Sequence, residues 1–278
     1  MSYRRPQTLA NALSIRAEGA RVAAGCTDLF PAVTSQTLNL DERPILDITA
    51  IAALRDIRRT DEGWRIGAAA TWSQIAAAAL PPAFDGLKAA AKDVGAIQIQ
   101  NAGTIGGNLC NASPAADGVP PLLTLDASVE LAAMGRTRRL GLAEFLRGPR
   151  QTALADDELL TAVLIPASAG AGRSAFLKLG ARRHLVISIV MAAVRIEVAD
   201  GRIAGARLSI GACSAVAARL PAVEAALVGR EPGKAAMAVR TEDVEAALAP
   251  ISDMRADAEY RLDAAATMAR RVVAAAVS

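Results

Sequence analysis

A chain of 278 residues that is 53% hydrophobic and 21% charged has ample material for buried cores and nothing of a disordered segment, and its length suits packed lobes better than one core. Lys and Arg number 31 against 28 Asp and Glu and are scattered, so the net charge of +3 comes without the basic, aromatic-interleaved stripe of a nucleic-acid binder. No signal-peptide h-region is readable, no stretch reaches the ~18 uncharged apolar residues of a membrane span, and three distant cysteines (Cys26, Cys110, Cys213) make no disulfide framework, so a cytoplasmic protein in a reducing compartment is expected.

In chain order, Leu9, Ala12 and Leu13 form a short helical stripe after Pro6, and Arg21 to Ala24 reads as a strand. Pro44 to Ile48 is another short strand. Ile57 to Thr71 alternates, with Trp64, Ile66 and Ala68 on one face and a turn at Asp61-Glu62-Gly63, which predicts a hairpin. Thr71 and Gln74 have capping-box spacing ahead of a helix over Ile75 to Leu80 that Pro81-Pro82 stops. A helix over Phe84 to Val94 then leads into a glycine-rich loop. Strands follow at Ser128 to Ala132 and Leu159 to Ile165, and the small residues Ser168 to Gly172 mark a domain boundary. Beyond it, Ser188 to Val198 and Ile203 to Ile210 pair through Asp200-Gly201. Pro221 to Val228 is a helix ended by Gly229, Thr241 caps a further helix, and Tyr260 to Val277 places Leu262, Ala265, Ala266, Met268, Ala269, Val272 and Val273 on one face. Helices and hairpin strands are mixed, so the class is α+β.

Two glycine-bearing segments carry the chemistry. Gly103, Gly106 and Gly107 fall within five residues and are flanked by Thr104, Asn108, Asn111 and Ser113. Such a segment cradles anions with main-chain N–H groups rather than with Lys or Arg. A second lies upstream at Ala23-Ala24-Gly25-Cys26-Thr27-Asp28. Each alone reads as readily as a tight turn; together they suit a ligand with a long polar spine, such as a dinucleotide. Neither has the lysine of a Walker loop or the G-x-G-x-x-G spacing of a Rossmann turn, so another nucleotide-binding fold is required.

AGCTDLFP at 24–31 and TIGGNLCNASPAAD at 104–117 resemble the two flavin loops of the FAD-binding medium subunits of molybdenum hydroxylases, the xanthine dehydrogenase and carbon monoxide dehydrogenase type. Tyr3-Arg4-Arg5-Pro6 and Phe176 to Arg183 fit in the same order, so the resemblance spans nearly the whole chain. It implies a two-lobed FAD-binding domain of the vanillyl-alcohol oxidase type over 1–170, with lobes of about 1–56 and 57–170. A smaller C-terminal α+β domain of the CO dehydrogenase flavoprotein type would occupy 171–278. It also implies FAD on this chain, [2Fe-2S] clusters on a small partner subunit, molybdenum cofactor on a large one, and a dimer of heterotrimers. Electrons would reach NAD or another acceptor, and no residue here would act catalytically on the organic substrate or ligate a metal.

The same resemblance assigns cofactor contacts to Ala23, Ala24, Gly25, Cys26, Thr27, Asp28, Leu29, Thr104, Ile105, Gly106, Gly107, Asn108, Asp117, Leu160 and Lys178. Cys26 stands where the family has a second glycine, and a small thiol fits there if φ stays negative. Asp117 would meet the ribityl or flavin end, Lys178 the pyrimidine side of the ring and Leu160 the isoalloxazine. Read without the family, Asp117 is a turn aspartate, Lys178 a strand-edge lysine and Leu160 core. His184 reads as a surface or interface residue. A self-sufficient flavin oxidase of this fold and a scaffold subunit without FAD are the alternatives.

Overall fold

The computed structural model describes residues 2–36, 42–183 and 185–278, so His184 lies outside the described residues. The chain opens with strand β1 (Tyr3–Arg4), helix α1 (Leu9–Ala17), strand β2 (Arg21–Ala23), helix α2 (Leu29–Thr34) and strand β3 (Ile45–Asp47). Thr8 starts α1 by accepting the Asn11 N–H at 3.3 Å, which satisfies one of the helix's orphan donors. The strands form a parallel sheet in the order β1-β3-β2. Ala12, Ala20, Leu46, Ile51 and Leu54 make its core, joined by Ala69 and Leu159 from the following sheet.

The next segment builds a five-stranded antiparallel sheet. Strands β4 (Ile57–Thr60) and β5 (Gly63–Gly67) form the expected hairpin. Five helices then run in succession: α3 (Trp72–Ala77), α4 (Asp85–Asp93), α5 (Ile97–Ala102), α6 (Ile105–Asn111) and α7 (Val119–Thr124). Strands β6 (Ser128–Ala133) and β7 (Arg136–Gly141), helix α8 (Leu142–Phe145), the small ribbon β8 (Leu146–Gly148) and β9 (Gln151–Thr152), and β10 (Leu159–Pro166) complete it. The order is β4-β5-β10-β6-β7, all antiparallel. Trp72, Phe84, Leu87, Ile105, Leu109 and Leu122 from the helical layer pack with Ile66, Val129, Leu131 and Val163 from the strands. Thr71 makes both bonds of the capping box with Gln74.

Two expectations fail in this region. Helix α5 intervenes between α4 and the glycine run, and the run itself is helical: Gly106 and Gly107 occupy the first turn of α6. The Thr104 hydroxyl caps that turn by accepting the Gly107 N–H at 3.1 Å, which offsets the poor helix propensity of two adjacent glycines. Strand β7, Arg-Thr-Arg-Arg-Leu-Gly, also escapes the pattern reading because an edge strand with mostly exposed residues shows no apolar alternation.

The remainder folds as an antiparallel sheet of β11 (Arg173–Leu179), β12 (Val190–Ala199), β13 (Arg202–Gly211) and β14 (Ala218–Arg219), in that order. Asp200 and Gly201 have φ of +51° and +71°, the left-handed pair that a tight hairpin turn requires. Helices α9 (Pro221–Leu227), α10 (Thr241–Glu245) and α11 (Ala258–Val277) accompany this sheet. Helix α11 buries the expected apolar face and also Arg261, which donates to the carbonyls of Ile189 and Ala212. Thr241 is the first residue of α10 rather than its cap, and its hydroxyl accepts from Arg270.

Candidate functional site

The turn between β2 and α2 and the turn between α5 and α6 meet backbone to backbone. A Cβ on Gly25 would lie 2.6 Å from the Ala102 carbonyl carbon and 2.8 Å from Gly103 Cα, so only glycine allows this approach. Among the described residues, the N–H groups of Gly25, Cys26 and Thr27 have no protein acceptor. Asp28 accepts from Asn111 Nδ2 at 2.9 Å and so ties the first turn to α6.

Cys26 corrects the sequence reading. Its φ is +56°, in the left-handed region, so a cysteine stands in a conformation that favours the glycine found at this place in the family. Burial pushes its thiol up from the ordinary value, the nearby Asp47 charge adds to this, and a contact to the Ala24 carbonyl opposes it.

The second segment is also not what its composition suggests. The N–H groups of Ile105, Gly106 and Asn108 bond to the carbonyls of Ala70, Ala68 and Thr104, and that of Gly107 bonds to the Thr104 hydroxyl. None of these four is free for an anion. A Cβ at Gly106 would lie 2.6 Å from the Ala68 oxygen, so this glycine serves close packing against β5's continuation. Gly107 is exposed, and a Cβ there would meet only Thr104 Oγ1, at 2.9 Å. Asn108 Oδ1 is buried without any hydrogen-bond partner, a costly state in a dry interior.

A cavity of about 910 Å³ lies where the two segments meet. Its wall contains Ala23, Ala24, Gly25, Cys26, Thr27, Asp28, Leu29, Thr104, Gly106, Gly107, Asn108 and Leu160, twelve of the fifteen residues that the sequence singles out. Leu160 sits beside a bulge at which the β10–β6 register shifts, with the extra residue Thr161 accepting the Ala68 N–H at 3.0 Å. Trp72, Val94 and Ile99 add apolar wall. The wall also holds Arg16, Arg21, Arg43 and Arg150, which sequence reasoning missed. They stand on separate segments with no common motif, and only the fold gathers them. The composition of the glycine-bearing segments gave no sign of these arginines.

Three expected residues lie outside the wall. Ile105 is fully buried in the core. Lys178 and Asp117 pair with each other at 2.8 Å, with side chains only 9% and 11% exposed. Lys178 Nζ also donates to the Asp93 carbonyl at 3.1 Å, and Ser188 donates to the second Asp117 oxygen at 2.7 Å. Lys178 does lie on an edge strand, as expected, but one covered by α4 rather than by solvent. Burial raises the Asp117 carboxyl above its usual range, although Lys178 and Ser188 pull the other way. The pair approaches the cavity from behind: a Cβ on the adjacent Gly118 would press on Trp72 and lie 3.1 Å from Asn108 Oδ1, both from wall residues. Among the described residues, no group of three or more His, Cys, Asp or Glu is placed to hold a metal ion, and no helix is long and apolar enough to cross a membrane.

A mixed α+β fold with one cavity between two glycine-bearing turns is a ligand-binding architecture, and comparison with known proteins specifies the class. Residues 1–168 match the FAD binding domain in molybdopterin dehydrogenase, and residues 175–276 match the CO dehydrogenase flavoprotein C-terminal domain. The chain is 31% identical to the xanthine dehydrogenase FAD-binding subunit of Escherichia coli O157:H7, over 100% of this chain and 96% of that one. It is 32% identical to the carbon monoxide dehydrogenase medium chain of Afipia carboxidovorans, over 98% and 94%. The crystal structure of Cu,Mo-CO dehydrogenase superposes with a TM-score of 0.92 at 28% identity, over 100% and 97% of the two chains. The chain belongs to the family of FAD-binding medium subunits of molybdenum hydroxylases, and its relatives are dehydrogenase subunits.

Proposed function

We propose that this chain is the electron-relay subunit of a molybdenum hydroxylase, holding one noncovalent FAD in the cavity between the two glycine-bearing turns. The observation that carries the reading is the meeting of residues 23–29 with 104–108 over a single cavity of about 910 Å³. Its donor set suits the cofactor. The N–H groups of Gly25, Cys26 and Thr27, without protein acceptors among the described residues, suit phosphate oxygens, and the partnerless Asn108 Oδ1 suits a hydroxyl or ring N–H. FAD, when bound, would supply the exchange between two-electron and one-electron chemistry.

In this reading Gly25 lets the first turn lie flat against the second, and Gly107 leaves the approach over α6 open. Leu160 and Trp72 keep water from the ring. Asp117 and Lys178 form a buried pair that fixes the backbone behind Asn108. No side chain here acts as general acid or base on the organic substrate. Residues 1–170 form the FAD-binding domain and 171–278 the C-terminal domain. A small partner would carry [2Fe-2S] clusters that supply electrons to this chain, a large partner would carry the molybdenum cofactor that oxidises substrate, and NAD or another acceptor would take the electrons away. The assembly is a cytoplasmic dimer of heterotrimers, and with only three cysteines the chain carries no cluster of its own, since one normally takes four ligands.

Stopped-flow spectroscopy tests this. The chain alone is expected to bind FAD and oxidise no heterocycle or aldehyde, and adding the two partners should restore substrate-dependent flavin bleaching. Turnover of an organic substrate by the isolated chain would establish the oxidase reading instead. A folded chain that takes up no flavin would establish the scaffold reading.

A further inference from the structure

Arg16 and Arg150 line the cavity, and the Asp28 carboxylate in the same wall is already engaged by Asn111. Arg16 lies half-buried at the end of α1, where Nε donates to the Glu158 carbonyl at 3.1 Å and Nη1 to the Ala20 carbonyl at 2.7 Å. Both acceptors are neutral, so they orient the guanidinium without cancelling its charge. Burial pushes the Arg16 guanidinium down from its ordinary value; Asp156 and Asp157 oppose this, while Arg43 adds to it.

Arg150 also lines the cavity. Its backbone is left-handed, with φ of +60°, and its N–H bonds to the carbonyl of Ala112, itself left-handed at +45°. Its guanidinium donates to the Asn111 side chain and main-chain oxygens, again neutral acceptors. A non-glycine residue persists in this region only where its surroundings over-determine it, and such residues gather at ligand sites. Two oriented cations with neutral acceptors, one half-buried, face a cavity whose proposed occupant carries a diphosphate.

Resting on the FAD reading above, we infer that Arg16 and Arg150 are phosphate-positioning residues: their charge, rather than the main-chain donors of α6, balances the dinucleotide's diphosphate. The four N–H groups at the start of α6 are already spent within the protein, and the N–H groups of Gly25, Cys26 and Thr27 carry no full charge, so the arginines supply the balancing charge. A guanidinium suits this because its forked donors match phosphate oxygens and it stays charged when partly buried.

The test is FAD affinity of the full chain by flavin fluorescence quenching, at low and at high ionic strength. Arg16→Gln and Arg150→Gln should each weaken FAD about tenfold, the value of one charge-assisted hydrogen bond, and should flatten the salt dependence. Arg16→Lys, which keeps the charge, should retain most of the affinity. Should Arg16→Gln lower the melting temperature of the flavin-free chain, Arg150→Gln, at an exposed position, decides the matter. Wild-type-like affinity and salt dependence in Arg150→Gln, with FAD bound normally by the wild type, would overturn the arginine assignment and leave the FAD reading standing. A wild-type chain that takes up no FAD would overturn both.

Discussion

Gly25 packs directly on the peptide of Ala102, with room for no Cβ between the two turns. This contact sets the distance between the segments that wall the cavity, so it sets the cavity's shape. Gly25→Ala should destabilise the chain by about 1–3 kcal/mol, the range for overpacking a filled contact, and should lower flavin content in the purified protein. Absorbance at the flavin bands against protein, with a denaturant melt, measures both. A variant with normal flavin and normal stability would show that the turns can separate freely.

Cys26 holds a left-handed backbone that costs an L-residue roughly 1–2 kcal/mol. Cys26→Gly relieves that strain but adds freedom to the unfolded chain, so a net gain of up to about 1 kcal/mol is expected. In a chain of this size that is a rise of roughly 2–4 °C in Tm. A fall would mean that packing of the thiol outweighs the strain.

Gly107→Val should separate cofactor binding from folding. The new side chain meets only the Thr104 hydroxyl within the protein and otherwise projects from an exposed position of the cavity wall. Most FAD should be lost while the circular dichroism spectrum stays native. In the wild type, acid precipitation should release the yellow colour to the supernatant; colour left in the pellet would mean a covalent link.

Lys178→Met leaves Asp117 buried with only Ser188 as partner. A loss of about 3–5 kcal/mol is expected at neutral pH, the cost of stranding one member of a buried pair. The carboxyl, already raised above its ordinary value, rises further without the lysine. Its folded state then binds the proton more tightly than the unfolded chain does. The variant's stability therefore recovers as the solution is acidified and is lost as pH rises through the folded value. Melts across pH check the sign, and adding Asp117→Asn should restore part of the loss at neutral pH.

Glu158 accepts two 2.7 Å bonds from Arg138 and one from the Ala155 N–H at 2.9 Å, while its own carbonyl holds Arg16. The Arg138 bonds hold its carboxyl below its ordinary value despite opposing burial. Its contribution is present above that value and disappears as pH falls through the lower folded one. Glu158→Gln should cost about 1–3 kcal/mol at neutral pH, and the two stability curves should converge in acid. A gap that stayed constant with pH would assign the effect to shape rather than charge.

The residue order by itself determined the family, the α+β class and most elements, because these depend on local pattern. The Thr71–Gln74 capping box, the Asp200-Gly201 turn and the apolar face of α11 are each short-range signals that local sterics and hydrogen bonding enforce. Likewise, eleven of the wall residues could be named together because each glycine segment is continuous in sequence. Tertiary structure decided the rest. Whether Gly106 and Gly107 form a loop or a helical turn depends on the Ala68 carbonyl and the Thr104 hydroxyl capturing their N–H groups, and composition does not encode those partners. The sign of φ at Cys26 is likewise set by the folded turn and is not written in the local sequence. The four arginines of the wall come from α1, β2, the segment before β3 and the ribbon before β10. Charge convergence from separate elements leaves no spacing in the chain, so only folding makes it visible.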